Sequence, residues 1–178
     1  MRVPQAPLGI IVVMDEQPGV VRDTLDAARF ATLQLDSGTF VPDGVPSREC
    51  VRAMIDQLLA ATDWIAARQE LAGLGVGIFG SAAGGTAALA AAAERPTAFR
   101  AIVARDGRPM LGGSALGGVL AATLLIADRQ DDASVAFSQD AMARVQGIAE
   151  LEIIGATDAG TAAHVANLAR RWFARFLQ

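Results

Sequence analysis

Between Leu74 and Ala88 the chain reads LGVGIFGSAAGGTAA: a short apolar run, a glycine-framed corner and the opening of a helix. Gly80 and Gly84 stand at the spacing of a GxSxG corner, in which a serine is held in a strained turn between strand and helix and the flanking positions must be tiny for the turn to close. A serine in that slot is the nucleophile of acyl transfer. Here the residues between the two glycines are Ser81, Ala82 and Ala83, so the slot for the reactive atom holds Ala82. Ser81 is one residue out of register, and its side chain is expected to point away from that of Ala82. It reads either as a structural serine or as a displaced nucleophile.

Other groups capable of chemistry are few. The single histidine, His164, falls beside the apolar stripe Val165, Leu168, Trp172 and Phe176 of a helical segment. A flank residue and a general base are its two readings, and nothing nearby suggests the pairing that a base requires. The single cysteine, Cys50, sits in SRECVR without a thiolate-stabilising motif, rules out an internal disulfide and fits a reducing cytoplasm. There are 15 arginines and no lysine, which excludes Schiff-base chemistry on a side-chain amine.

Carboxylates gather where strands are expected to end: Asp15 and Glu16, Asp36, Asp106, then Asp128, Asp131 and Asp132, and Asp158. A hard cation needs several converging oxygen ligands, but no recognised ligand spacing appears, so these read as solvated rim charges and neither a metal nor another cofactor is expected. A net charge of −4 with no run of basic residues argues against nucleic acid. The apolar run before Asp15 has only seven residues, too short for a signal peptide or a membrane span. A cytoplasmic protein without a membrane segment is the expectation.

The elements that must position these groups follow from hydrophobic patterning. Apolar runs alternate with longer segments of helical period, the pattern of a buried parallel sheet covered on both faces by helices. Six strands are predicted, at about Leu8 to Met14, Ala31 to Asp36, Gly75 to Gly80, Phe99 to Ala104, Ala122 to Ala127 and Leu151 to Gly155. Helices are predicted at about Gly19 to Ala28, Arg48 to Glu70, Ala83 to Glu94, Ala133 to Val145 and Thr161 to Phe176. Two loops stand outside this alternation, Ser37 to Pro46 and the glycine-rich Gly107 to Gly118, and both follow strand C-termini, where an open α/β sheet binds ligands. A length of 178 residues with 52% apolar content suits one domain over residues 1–178.

As a whole, from about Leu8 onward, the chain resembles the dienelactone hydrolase-like branch of the α/β-hydrolases, including a short bacterial form often fused to a phosphoribosyltransferase. The stretches that carry the resemblance are VGIFGSAAGGTAALAAAAERP at the corner, RAIVARDGRP, ATLLIADRQDDASV and LEIIGATDAG. It implies a doubly wound parallel six-stranded sheet of order 2-1-3-4-5-6, a minimal α/β-hydrolase fold lacking the first hairpin of the full one. It also implies where a catalytic triad would stand: the nucleophile at Ala82, the acid at Asp131 with Asp132 beside it, and the histidine at Asp158. The family's His-Gly loop after the first strand, which supplies an oxyanion donor, is replaced by Asp15 and Glu16.

Three of those four features are thus substituted, and the acid alone remains. Without a hydroxyl at position 82 no acyl-enzyme forms, and without an imidazole at position 158 no base near neutral pH activates a nucleophile or water. Carboxylates at positions 15 and 16 oppose the charge that develops on an oxyanion. The expectation is a catalytically degenerate protein that acts by binding, as a scaffold, assembly partner or regulatory subunit, with Asp15, Glu16, Ser81, Ala83, Asp106 and Asp132 as the candidate binding rim. The alternative is an unusual hydrolase, lyase or cyclase that uses rim carboxylates or Ser81. A protein partner or a homodimer is expected, and a small-molecule ligand at the rim is a further candidate. For the homodimer, Trp172, Phe173, Phe176 and Leu177 span a wide apolar arc of the last helix. Part of that arc either stays exposed as a self-complementary patch or is wholly buried against the chain's own core.

Overall fold

The structure is a computed structural model and describes residues 1–17, 19–35, 47–107, 116–155 and 158–177, the side chains of residues 158 and 159 excepted. Six strands, β1 (Ile10–Met14), β2 (Ala31–Gln34), β3 (Val76–Ser81), β4 (Ala101–Arg105), β5 (Ala122–Asp128) and β6 (Ala149–Ile154), form one sheet. Every neighbouring pair is parallel, and the order is 2-1-3-4-5-6, as expected. The helices α1 (Gly19–Ala27), α2 (Arg48–Ala66), α3 (Ala83–Glu94), α4 (Asp132–Arg144) and α5 (Asp158–Phe176) connect or follow them.

Successive strand residues face opposite sides, so one continuous apolar run feeds two cores. Ile10, Val12 and Met14 of β1 join Ile78 and Ile102 beneath α2, α3 and α4. Ile11 and Val13 join Phe79, Val103 and Ile126 beneath α1 and α5. The alanine-rich α3 is buried from Ala83 through Ala92, enclosed between the sheet and α2. Small side chains permit that close approach. Arg52 bridges Asp56 and Glu94, and Arg95 pairs with Asp63, so exposed ion pairs join α2 to the far end of α3.

The element limits depart from the sequence expectation in instructive ways. The second helix ends at Ala66 rather than Glu70, because Gln69–Leu71 makes a separate 3-10 turn that buries Leu71. The last strand starts at Ala149, two residues early, since a half-exposed edge strand shows no apolar run at its start. The last helix starts at Asp158, three residues before the expected Thr161. Of the two loops, 36–46 and 108–115 lie outside the described residues. The end of the second is core rather than rim, since the 3-10 turn Leu116–Gly118 buries Leu116 and is followed by buried Val119.

Of the two readings of the apolar arc on the last helix, burial against the chain's own core holds for most of it. Trp172, Phe173 and Leu177 are all buried, and Phe176 is half-buried. The Phe173 ring lies edge-on to Phe30, and a Cβ on Gly77 would come within 2.8 Å of it. Trp172 donates its indole N–H to the carbonyl of Ala122. Trp172, Phe173 and Leu177 belong to the core beneath α1 and α5, and Phe176 packs against it.

Candidate functional site

The site is assembled at the C-terminal ends of β1, β3, β4 and β5, where the parallel register brings residues far apart in sequence side by side. Met14 is level with Gly80, Gly80 with Ala104, and Ser81 with Arg105. At the corner, Ala82 has φ 49° and ψ −119°, a backbone that a side-chain-bearing residue rarely adopts. Such a residue costs about 1–3 kcal/mol and persists only where its surroundings enforce it. The enforcement is steric. A Cβ on Gly80 would lie 2.3 Å from the carbonyl oxygen of Gly84, and one on Gly84 would lie 2.6 Å from that of Met14. The Ala82 N–H is anchored on the Arg105 carbonyl at 2.8 Å.

The corner therefore presents Ala82 outward, exposed, at the position where a nucleophile stands in a functional elbow. Directly behind it α3 begins with no side-chain cap and no acidic residue in its first turn. Its backbone N–H groups form the positive end of a helix, of which Ala83 supplies the first. Ala83 itself is buried, so of the rim residues expected from sequence it contributes backbone rather than side chain.

Ser81 points elsewhere, as its register implied. Its hydroxyl donates to Asp15 Oδ1 at 2.8 Å, and the same oxygen accepts the Gln17 N–H at 3.2 Å. The structure thus brings together two rim candidates separated by 66 residues, and the pair closes the gap between β1 and β3. Glu16 is exposed. The backbone of Asp158 opens α5, and Ala156 and Thr157 lie outside the described residues, as does Asp36.

On the other flank, Asp106 is the centre of a small polar network. It too has positive φ, 49°, a conformation that Asp tolerates better than most residues. Its Oδ1 accepts the Asp128 N–H at 3.0 Å and the Ser134 hydroxyl at 3.4 Å, while its Oδ2 accepts from Arg105 Nε at 2.9 Å. This links the end of β4 to the end of β5 and the start of α4. Asp131 caps α4 by accepting the Ser134 N–H at 3.0 Å, and Asp132 is exposed in the first turn. Asp131, the residue that the resemblance implied as the acid, thus has a structural task. Sequence reasoning missed Arg105 and Ser134, although the Arg-Asp pair closing the apolar run RAIVARD marks the strand end at which they meet.

His164 is exposed on α5 and borders a groove with Glu152 and Thr161. Among the described residues, no group of three His, Cys, Asp or Glu side chains is placed to hold a metal ion. No helix among them is long and apolar enough to cross a membrane.

A parallel sheet of order 2-1-3-4-5-6, helices on both faces and a strained glycine-framed turn after the third strand define the α/β-hydrolase superfamily. The family model of the prolyl oligopeptidase family matches residues 47–110, the segment around the corner. A dienelactone hydrolase of Anabaena variabilis, known from its crystal structure, is 32% identical, superposes with a TM-score of 0.84, and is matched over 99% of this chain and 90% of its own. This chain belongs to the dienelactone hydrolase-like branch of that superfamily. An esterase of Pyrococcus furiosus shares the fold, with a TM-score of 0.74 over 97% of this chain and 85% of its own at 11% identity. Two Mycobacterium tuberculosis proteins named "Putative phosphoribosyl transferase" are 36% identical over 189 aligned residues, covering 97% of this chain. The chain spans 42% of the length of those relatives.

Proposed function

We propose that this chain is a catalytically degenerate member of its family that acts by binding, as an assembly or regulatory unit of one domain working in the cytoplasm. The observation that carries this reading is the corner: backbone strain, glycine contacts and helix N-terminus stand ready around position 82, and an alanine methyl occupies it. Acyl transfer needs a nucleophilic atom there and a base to activate it. Three carboxylates of the described rim are engaged in holding it together: Asp15 by Ser81, Asp106 by Arg105 and Ser134, Asp131 by the start of α4. The two relatives named as phosphoribosyl transferases, less than half of which this chain matches, support a role exercised beside a phosphoribosyltransferase unit, fused or separate.

The Ser81–Asp15 hydrogen bond is the one observation that favours an enzyme. A carboxylate that accepts from a serine orients the hydroxyl without ionising it, and this one points away from the slot in front of α3. Purified protein is expected to leave p-nitrophenyl acetate, p-nitrophenyl butyrate and a dienelactone unhydrolysed above the buffer rate. Turnover that vanishes in Ser81→Ala would replace the binding role with a displaced nucleophile.

A further inference from the structure

The two edges of the sheet are finished differently. The outer edge of β2 is occupied: Arg2 and Thr32 exchange two backbone hydrogen bonds, of 2.8 and 2.9 Å, in an antiparallel bridge. At the opposite edge, β6 bonds to β5 through even-numbered residues, with the Ile148 carbonyl accepting from Thr123 and the Ile154 carbonyl from Arg129. Because backbone groups alternate along a strand, those of Ala149, Leu151 and Ile153 point away from the sheet. That is a row of three donors and three acceptors.

Alongside this edge, between β6 and α5, runs a groove of about 160 Å³. Leu124, Leu168 and Trp172 line its apolar part, with Glu150 and Glu152 on the strand side and Arg171 and Arg175 on the helix side. Arg175 pairs with Glu150 at 2.9 Å. Glu152 and Arg171 share the groove, yet among the described residues neither has an ion-pair partner. On the other face Ile153 is 38% exposed.

We infer that the β6 edge is a self-association surface whose occupant is the β6 strand of a second copy, joined antiparallel about a two-fold axis through Leu151. That register alone uses all three outward residues: Leu151 pairs with its own counterpart, and Ala149 pairs with Ile153 of the other copy, twice. A two-fold axis perpendicular to the sheet keeps both α5 helices on one side, so each groove receives a glutamate from the opposite strand. Glu152 of one copy then lies across from Glu150 of the other. Two facing glutamates repel, as acidic residues on an edge strand commonly do to discourage pairing. In this case each copy brings Arg171, without an ion-pair partner among the described residues, to the same groove, and the charges of Glu150, Glu152, Arg171 and Arg175 sum to zero.

The test is sedimentation velocity with light scattering, from about micromolar to about millimolar chain, on the wild type and four variants. The wild type is expected to form a two-copy species. Ile153→Pro removes an outward N–H that β5 does not use, and it should abolish association while leaving the circular dichroism spectrum folded. Arg171→Glu, at an exposed residue, should weaken association about ten-fold or more, Glu152→Arg should strengthen it by turning the facing Glu152–Glu150 repulsion into an ion pair, and the double variant should fall between the two. A wild type that remains single at every concentration overturns the inference and leaves the edge open to an extended segment of another protein. So does a two-copy species indifferent to both Ile153→Pro and Arg171→Glu.

Discussion

The corner at Ala82 and the turn at Asp131, the positions proposed for a nucleophile and an acid, differ in what they keep. At the corner the backbone is complete, down to a strained φ of 49° and glycines that no other residue can replace, while the side chain that would use it is absent. At the turn the carboxylate is present, but it caps α4 and sits in a network centred on Asp106. A backbone conformation locked by close contacts cannot be relaxed by changing one side chain. A carboxylate that caps a helix has a structural reason to be there whatever else it does. Neither feature therefore reports chemistry by itself.

The sharpest way to break this comparison is to attack the corner's contacts. Gly80→Ala forces a Cβ to within 2.3 Å of a backbone oxygen, and it is expected to cost about 3 kcal/mol or more in urea unfolding, in the range reserved for severe backbone conflict. A loss below about 1 kcal/mol would mean that the corner opens easily, and the idea of a locked backbone would fail.

At the turn, Asp131→Ala should cost about 1 kcal/mol by removal of the cap, and Asp131→Asn should restore most of it because an amide oxygen caps nearly as well. A melting temperature lowered equally by both substitutions would show that charge rather than capping matters there. Asp106→Ala should cost more than Asp131→Ala, about 2 kcal/mol, since it strands the Asp128 N–H and Arg105 and puts a Cβ-bearing residue without a local acceptor at positive φ.

Smaller effects refine the account of Ala82. Replacing it with glycine relieves the positive φ against a larger unfolded-state entropy, for an expected gain of about 1 kcal/mol. Ala82→Ser is expected to change stability by less than about 1 kcal/mol, because the side chain is exposed to water. That single variant should remain without esterase turnover. Slow hydrolysis of p-nitrophenyl acetate is expected only when Asp158→His is added. A folded double variant with no turnover at all would mean that position 158 does not face the corner.

The strands and the corner were legible in the amino-acid sequence because a buried parallel strand must be apolar on both faces and a glycine-framed turn has few substitutes, whereas the strand order came from the family resemblance. Element ends were less legible where local signals were weak: β6 begins in a half-exposed stretch, and the end of α2 rests on a 3-10 turn that periodicity does not distinguish from helix. Within the site, types were readable and partnerships were not. The sequence placed Asp15, Ser81, Asp106 and Asp131 near strand ends, while the Ser81–Asp15 bond and the Asp106 network depend on which strands become neighbours.

The sequence by itself determined that position 82 has no hydroxyl, that position 158 has no imidazole, and that the chain has the alternation of a doubly wound sheet, since these are matters of residue type and period. Only the tertiary structure decided that Phe173 is buried, that Ser81 turns to Asp15, and that, among the described residues, β2 carries a bridge on its outer edge and β6 carries none. Burial, hydrogen-bond pairing and edge exposure are relations between segments distant in the chain, fixed by the twist and register of the sheet, and no local stretch of residues encodes them alone.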